Sequence, residues 1–217
     1  MHQLVLFDIG NTLIYRDKDL IEFDVELIEM FFRINKKKVI DVIKNKLLVS
    51  PGFYDYSLIR MKDLEEERTF THGFFMSVFK DLKISLEKLD GFIANRESEQ
   101  RYKVFPRVRE MLSELRKRGY ILGVASNGRP SRRSVLQQME LMDYFDQDQI
   151  YISDEMGVNK PSEGFFEYIE KKSGFTEFVL CDDEIANIVT VSKHGWRTIE
   201  MDHNKDVYNE VLSKIIR

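Results

Sequence analysis

Short apolar runs, each as long as a buried β-strand, alternate with helical patterns along most of this chain. The clearest helix carries Val108, Met111 and Leu115 at positions i, i+3 and i+7, on one apolar stripe. Alternating strands and helices usually pair in parallel through right-handed crossovers. We therefore expect an α/β fold with a three-layer α/β/α core around a parallel sheet. The strand-like runs cover residues 4–7, 120–125, 150–152, 178–181 and 197–201.

The stretch 16–103 breaks this alternation because it is rich in helical patterns and holds no convincing buried strand. It reads as an inserted helical domain, which leaves residues 1–15 and 104–217 for the α/β core. Asn35 is placed to cap a helix between two apolar faces. The first face is Leu20, Phe23, Leu27, Phe31 and Ile34, and the second is Val39, Ile43 and Leu47.

Aromatic side chains in the insertion are expected to form its core rather than a ligand site. Phe70, Phe74, Phe75 and Phe79 recur at helical spacing, which already predicts an apolar stripe. The segment 51–56, with further aromatics up to Tyr56, is expected to be a packed interhelical turn. The alternative is a specificity loop that faces a substrate.

Charge and apolar patterning exclude several classes of protein. The 33 Lys and Arg residues against 37 Asp and Glu residues give a net charge of −4, so a basic nucleic-acid-binding surface is not expected. No run approaches the ~20 apolar residues that a membrane span needs, and we expect neither a membrane protein nor an exported one. The single cysteine, Cys181, cannot form an intramolecular disulfide, which favours a cytoplasmic protein.

Polar side chains follow the predicted strands at the points where they end. The carboxyl ends of strands in open α/β sheets are where ligands bind. Each of these residues, taken alone, is explained by an ordinary structural role as a helix cap, a turn former or a solvated surface group. Together, several carboxylates would raise one another's pKa values, and a divalent cation such as Mg²⁺ would remove that cost. These residues are Asp8, Ser126, Asn127, Lys160, Asp182 and Asp183.

Four motifs resemble those of the haloacid dehalogenase-like hydrolases, a superfamily made up mostly of Mg²⁺-dependent phosphatases. Residues 4–13, LVLFDIGNTL, resemble the first motif, and residues 124–128, VASNG, the second. Residues 157–161 resemble the third motif, and residues 179–183 with Asn187 the fourth. The resemblance covers nearly the whole chain. It implies a Rossmann-like core and identifies the helical insertion as an α-helical cap that closes over the substrate.

The resemblance implies a role for each matching side chain. Asp8 would be the nucleophile that attacks phosphorus and forms an aspartyl-phosphate. Ser126 would hydrogen-bond a phosphoryl oxygen, with Asn127 and nearby main-chain N–H groups assisting. Lys160 would offset the charge on Asp8 and on the transferring group. The expected substrate is a small phosphorylated metabolite, which the cap would choose by shape.

The same resemblance implies that Mg²⁺ is held by Asp8, by the main-chain oxygen of Gly10 and by the acidic pair. Asp183 is favoured over Asp182 as the direct ligand because the position of Asn187 matches that register better, although the pair can be read either way.

Gly10 departs from the family pattern, since most phosphatases of the family carry there a second Asp that acts as general acid and base. Such a group is typically worth ~10²–10⁴ in rate. Its absence keeps three alternatives open. Dehalogenases also lack this Asp but need no metal, and the acidic pair argues against them. Phosphonate hydrolysis uses a cap lysine, for which Lys44, Lys46 and Lys62 are candidates without a distinguishing signal. The third alternative is a non-catalytic relative whose cap binds a protein.

Overall fold

The computed structural model describes residues 3–55, 58–99 and 101–216. The chain divides into two compact units. The α/β unit consists of Met1–Tyr15 and Tyr102–Arg217, and the helical unit consists of Arg16–Arg101.

A parallel sheet of five strands forms the centre of the α/β unit, in the order β5-β4-β1-β6-β7. This confirms the α/β fold class predicted from the alternation of strands and helices. A second, antiparallel pair joins β2 and β3, two residues each, which were too short for sequence periodicity to predict. The strands are β1 (Gln3–Phe7), β2 (Ile14–Tyr15), β3 (Lys103–Val104), β4 (Ile121–Ser126), β5 (Ile150–Ile152), β6 (Glu177–Asp182) and β7 (Arg197–Glu200).

The helices fall into two sets, α1–α4 in the helical unit and α5–α10 in the α/β unit. Short 3₁₀ turns cover Pro51–Phe53, Leu86–Lys88, Met142–Tyr144 and Gln147–Gln149. The helices are α1 (Leu20–Phe32), α2 (Lys36–Val49), α3 (Leu64–Leu82), α4 (Leu89–Ser98), α5 (Val108–Lys117), α6 (Arg132–Gln138), α7 (Ser153–Met156), α8 (Glu163–Ser173), α9 (Ile185–Lys193) and α10 (Val207–Ile215).

The central strand β1 is buried along its whole length and separates two apolar clusters. Side chains alternate between the faces of a strand. Val5 therefore joins the cluster that contains the stripe of α5, while Leu6 joins the opposite cluster with Phe165 of α8. Burial on both faces explains why β1 is a continuous apolar run rather than an alternating one, and it fixes the strand at the centre of the sheet.

The helical unit has its own apolar core, to which the predicted aromatic stripe contributes. Phe74, Phe75 and Phe79 on α3 are buried, and Phe70 is partly buried against them. Asn35 caps α2 as predicted, since its side-chain oxygen accepts hydrogen bonds from two backbone N–H groups of the first turn.

Helix α1 buries much of the predicted face, including Leu20 and Leu27, but the buried side is wider than predicted. Phe31 is 41% exposed and Ile34 lies beyond the helix end, whereas Asp24 is completely buried together with Val25 and Ile28. The reason is an ion pair between Asp24 and Arg96 on α4, which allows a carboxylate to occupy a core position.

The aromatic segment after α2 is a packed turn rather than an open loop. The Phe53 ring stacks on the Phe74 ring with centroids 3.6 Å apart, and Phe53 is buried. Tyr56, also named in the sequence analysis, lies outside the described residues.

Within residues 3–55, 58–99 and 101–216, no helix combines the length and the apolar character needed to cross a membrane.

Candidate functional site

Parallel strands bring two acidic side chains together at the carboxyl edge of the sheet. Phe7, the last residue of β1, pairs with Cys181 of β6, so Asp8 and Asp182 follow on neighbouring strands. The register continues past β1, because the N–H of Asp8 donates to the Cys181 carbonyl oxygen at 2.9 Å. The sheet itself therefore sets the spacing of the two carboxylates.

Lys160 joins these two carboxylates. Its Nζ donates to Asp8 Oδ1 at 2.8 Å and to Asp182 Oδ2 at 2.5 Å. All three residues are buried, with Asp182 at 0% exposure. The contacts place two buried carboxylates against one ammonium group.

Burial and like charges shift the pKa values in this cluster. Burial raises the pKa of Asp8, the Lys160 ammonium opposes that rise, and the negative charges of Asp182 and Asp183 add to it. Burial alone would lower the pKa of Lys160, but the charges of Asp8 and Asp182 outweigh it and raise that pKa. Lys160 is therefore charged at neutral pH, and the cluster keeps a surplus of acidic groups.

The side chain of Asn127 holds the backbone of Lys160 in place. Its Nδ2 donates to the Lys160 carbonyl oxygen at 2.9 Å, and the Lys160 N–H donates to its Oδ1 at 2.8 Å. This two-point contact links the loop after β4 to the loop that carries Lys160. One N–H of the amide and its oxygen are engaged in this contact, which leaves the second N–H of Nδ2 as a donor.

Ser126 is the last residue of β4 and reaches the same edge of the sheet as Asp8, since Phe7 pairs with Val124 two residues earlier. Ser126 is buried, and its hydroxyl donates to the Asn127 carbonyl oxygen at 3.3 Å. Its hydroxyl therefore lies in the layer of polar groups that ends the strands.

The two members of the acidic pair are held differently. Asp182 Oδ1 accepts hydrogen bonds from Glu184 N and Asn187 Nδ2, both at 2.9 Å, while its Oδ2 faces Lys160. Both oxygens of Asp182 are thus engaged by the protein. Asn187, which belongs to the same motif, thus holds Asp182 and not Asp183.

Asp183 is half-buried, and the Thr12 hydroxyl donates to its Oδ1 at 3.2 Å. Burial raises the pKa of Asp183, and the neighbouring charge of Asp182 adds to the rise. Asp183 is therefore the member of the pair whose carboxylate is better placed to bind a ligand. The reason is the engagement of Asp182, which the sequence pattern did not reveal.

Thr12 and His203 support this edge of the site, and the sequence analysis assigned them no role. Thr12 is completely buried, and its carbonyl oxygen lies 2.8 Å from His203 Nε2. The His203 ring stacks on Phe105 at 3.4 Å between centroids, and burial lowers its pKa. Thr12 lies within the first motif, which was a usable signal, whereas nothing in the sequence distinguished His203.

The carboxylate oxygens at this edge are ligands of the kind that hard divalent cations use. Within the described part of the chain, no group of three or more His, Cys, Asp or Glu side chains is arranged to hold a metal. Mg²⁺ commonly uses one or two carboxylates, with water and phosphate oxygens completing its shell. Asp8 and Asp183 are the two carboxylates that could serve in this way, since the charge of Asp183 is close enough to raise the pKa of Asp8.

A comparison with protein-family models identifies one family. The chain matches the haloacid dehalogenase-like hydrolases over residues 2–188. A comparison with curated proteins finds no match.

Solved structures with the same fold include both phosphatases and dehalogenases. A HAD phosphatase from Thermococcus onnurineus is 23% identical with a TM-score of 0.61, covering 94% of this chain and 88% of that one. An L-2-haloacid dehalogenase from Xanthobacter autotrophicus, solved with chloropropionic acid covalently bound, is 17% identical with a TM-score of 0.55, covering 100% and 84%. A HAD family enzyme from Bacteroides thetaiotaomicron is 18% identical with a TM-score of 0.61, covering 96% and 98%. At these identities the likeness establishes the fold.

Proposed function

Because the chain belongs to the haloacid dehalogenase-like hydrolases, we propose that this hydrolase is a Mg²⁺-dependent phosphatase. Its substrate would be a small phosphorylated metabolite, hydrolysed through an aspartyl-phosphate on Asp8. We further propose that it works in the cytoplasm, since its single cysteine, Cys181, is buried and free.

The observation that carries this proposal is the surplus of acidic groups around one ammonium. Asp8 and Asp182 both contact Lys160, and Asp183 adds a further carboxylate whose pKa is raised by burial and by Asp182. Such an arrangement is unfavourable unless another cation offsets it. Bound Mg²⁺ would supply that positive charge and would also neutralise the charge of a phosphoryl group.

The first half of the reaction uses the groups around Asp8. A carboxylate oxygen of Asp8 attacks phosphorus, a new P–O bond forms, and the bond to the leaving oxygen breaks with its electron pair staying on that oxygen. Lys160 keeps Asp8 oriented and offsets the negative charge, while the Ser126 hydroxyl donates to a phosphoryl oxygen. The product is an aspartyl-phosphate.

The second half regenerates Asp8. Water attacks the phosphorus of the aspartyl-phosphate, the P–O bond to Asp8 breaks, and inorganic phosphate leaves. Position 10 has no side chain to activate this water, because it is a glycine.

Dehalogenation is the second candidate, and Gly10 is the observation that favours it. A haloacid dehalogenase needs a nucleophilic Asp but no acid at that position, and structures with this fold include such enzymes. Asp183 argues against it, since a half-buried carboxylate with a raised pKa is costly in a site that binds no cation.

Phosphate release from p-nitrophenyl phosphate and acetyl phosphate, with and without Mg²⁺, tests the proposal. The wild type is expected to turn over in Mg²⁺ and to lose turnover in EDTA. Asp8→Asn is expected to be inactive, whereas Asp148→Asn, the same change on an exposed 3₁₀ turn, should behave like the wild type.

Chloride release from 2-chloropropionate, measured in parallel, separates the two candidates. Chloride release without phosphate release, in the absence of added metal, would replace the phosphatase proposal by the dehalogenase one. If Asp8→Asn keeps the wild-type activity, Asp8 is not the nucleophile in either reaction.

A further inference from the structure

The guanidinium group of Arg132 occupies the space beside Gly10. A Cβ atom built on Gly10 would lie 3.9 Å from Arg132 Nη2. Among the described residues no other heavy atom outside Gly10 and its chain neighbours comes within 4 Å of that point. Gly10 follows Asp8 by two residues, so the guanidinium group of Arg132 lies beside the loop that carries the proposed nucleophile.

A second glycine, Gly128, leaves the space that the Arg132 side chain fills. A Cβ on Gly128 would lie 2.8 Å from both Cγ and Nε of Arg132, closer than real Cβ atoms approach other atoms. Any larger residue at position 128 would therefore displace the arginine. Gly128 follows Ser126 by two residues, just as Gly10 follows Asp8. Glycines in two motif loops thus leave room for one guanidinium group.

An aromatic ring also faces this arginine. Arg132 is the first residue of α6 and is half-buried, and its Cζ lies 5.7 Å from the centroid of the Tyr102 ring. Tyr102 is itself buried. A guanidinium group at this distance from an aromatic face is stabilised by a cation–π interaction, which keeps the side chain near Gly10.

Arg132 is suited to the one reacting atom that still has no partner. Asp8 forms the new bond, and Lys160 and Ser126 serve the phosphoryl oxygens, which leaves the departing oxygen. We propose that Arg132 contacts the leaving-group oxygen of the substrate and stabilises its negative charge, an inference that rests on the proposed phosphatase function. A guanidinium group stays protonated at neutral pH, so it supplies charge and transfers no proton.

This assignment predicts the class of substrate. When the P–O bond breaks, the electron pair stays on the leaving oxygen, which departs as an anion beside Arg132 without needing a proton. Leaving groups that are stable as anions fit this chemistry. The favoured substrates are therefore acyl phosphates and phosphate esters of acidic hydroxyl groups, rather than simple alkyl phosphates.

The test is the dependence of kcat/KM on the leaving group. Rates are measured in Mg²⁺ with acetyl phosphate and with aryl phosphates whose phenols differ in pKa, for the wild type, Arg132→Gln and Arg132→Lys. Arg133→Gln is the matched control, because Arg133 is the next residue of α6 and pairs with Glu155. Thermal unfolding of each variant checks that it is folded.

Arg132→Gln should lose about 10²-fold in kcat/KM on the aryl phosphate with the least acidic phenol, the loss expected for removing one charge-stabilising donor. Its loss on acetyl phosphate should be much smaller, so the plot against leaving-group pKa becomes steeper. Arg132→Lys should recover part of the rate, and Arg133→Gln should keep the wild-type slope. A merely structural role would not change the slope.

Two other results would overturn the inference, and they are distinguishable from each other. Equal losses on all substrates would place Arg132 on the phosphoryl oxygens or in the fold, and the phosphatase proposal would stand. A folded wild type that releases no phosphate from any of these compounds would overturn the phosphatase proposal and this inference with it.

Discussion

Each unit of the molecule buries an ion pair, and the two pairs differ in their charge balance. In the helical unit, Arg96 donates through Nε and Nη2 to the two oxygens of Asp24, at 2.6 and 2.9 Å. The Tyr54 hydroxyl adds a third hydrogen bond to Asp24 at 2.7 Å. In the α/β unit, the single ammonium of Lys160 faces both Asp8 and Asp182.

This difference is the one we expect between a structural ion pair and the catalytic cluster that we propose. One carboxylate and one guanidinium group cancel in the helical unit, and the bidentate geometry satisfies both partners. Burial and the charge of Asp24 raise the pKa of Tyr54 well above its usual value, so its hydroxyl stays a donor. At the sheet edge the acidic groups remain in surplus, an arrangement that a bound cation would stabilise.

The largest effect is expected from breaking the balanced pair. Arg96→Met leaves Asp24 buried without its cation and should lower the free energy of unfolding by about 3–5 kcal/mol. The double variant Asp24→Leu with Arg96→Met should recover most of that loss, because both charges are then gone. Urea unfolding measures both. A single variant as stable as the wild type would show that this pair is not needed for stability.

Removing the ammonium group of Lys160, which contacts Asp8 and Asp182, should mainly lower the rate of the reaction. Lys160→Met is expected to lower kcat/KM for acetyl phosphate by about 10²–10³-fold, the cost of losing one electrostatic stabiliser. The same change at the exposed Lys172 is the control and should leave the rate unchanged. Wild-type kcat/KM in Lys160→Met would contradict the role given to this residue.

Ligands that bind at the cluster of Lys160, Asp8, Asp182 and Asp183 should stabilise the folded protein. With Mg²⁺ and beryllofluoride at 100 times their dissociation constant, the wild type should gain about 2.7 kcal/mol, seen as a rise in Tm. Asp183→Asn should abolish the gain while the variant still folds, because an asparagine oxygen can accept the Thr12 hydrogen bond. A full gain in that variant would show that Asp183 is not a ligand.

The smallest effect on stability is expected from an exposed ion pair whose length is close to that of the buried Arg96–Asp24 pair. Arg118 Nε lies 2.7 Å from Glu114 Oε1 on the surface of α5, close to the 2.6 Å of the Arg96–Asp24 contact. Glu114→Gln should change the free energy of unfolding by only about 0.3–0.5 kcal/mol in urea unfolding. A loss as large as that of Arg96→Met would mean that distance, not burial, decides the contribution of a pair.

Much of the fold could be predicted because its signals are local. The strand-like runs correspond to β1, β4, β5, β6 and β7, since an apolar run between helices reports burial on both faces. Strands β2 and β3 were not predicted, because a run of two residues is too short to show a periodic pattern. The burial of Asp24 on α1 was not predicted, because its partner Arg96 lies 72 residues away in the sequence.

The candidate site divides in the same way. Strand ends placed Asp8, Ser126 and the acidic pair at one edge before any contact was known. The partners of Asp182 could not be derived, because spacing alone does not say which carboxylate turns toward Lys160. Nothing in the sequence pointed to Arg132, because its place beside Gly10 depends on the absence of a Cβ at Gly10 and Gly128.

The sequence by itself determined that this chain forms a parallel sheet with acidic and basic groups at its carboxyl edge, because periodicity and strand ends are properties of neighbouring residues. Only the tertiary structure decided that Lys160 joins Asp8 to Asp182, that Asp183 is held by Thr12, and that a guanidinium group lies beside Gly10. Electrostatic pairing depends on distances of a few ångströms between residues far apart in the chain, and packing alone sets those distances.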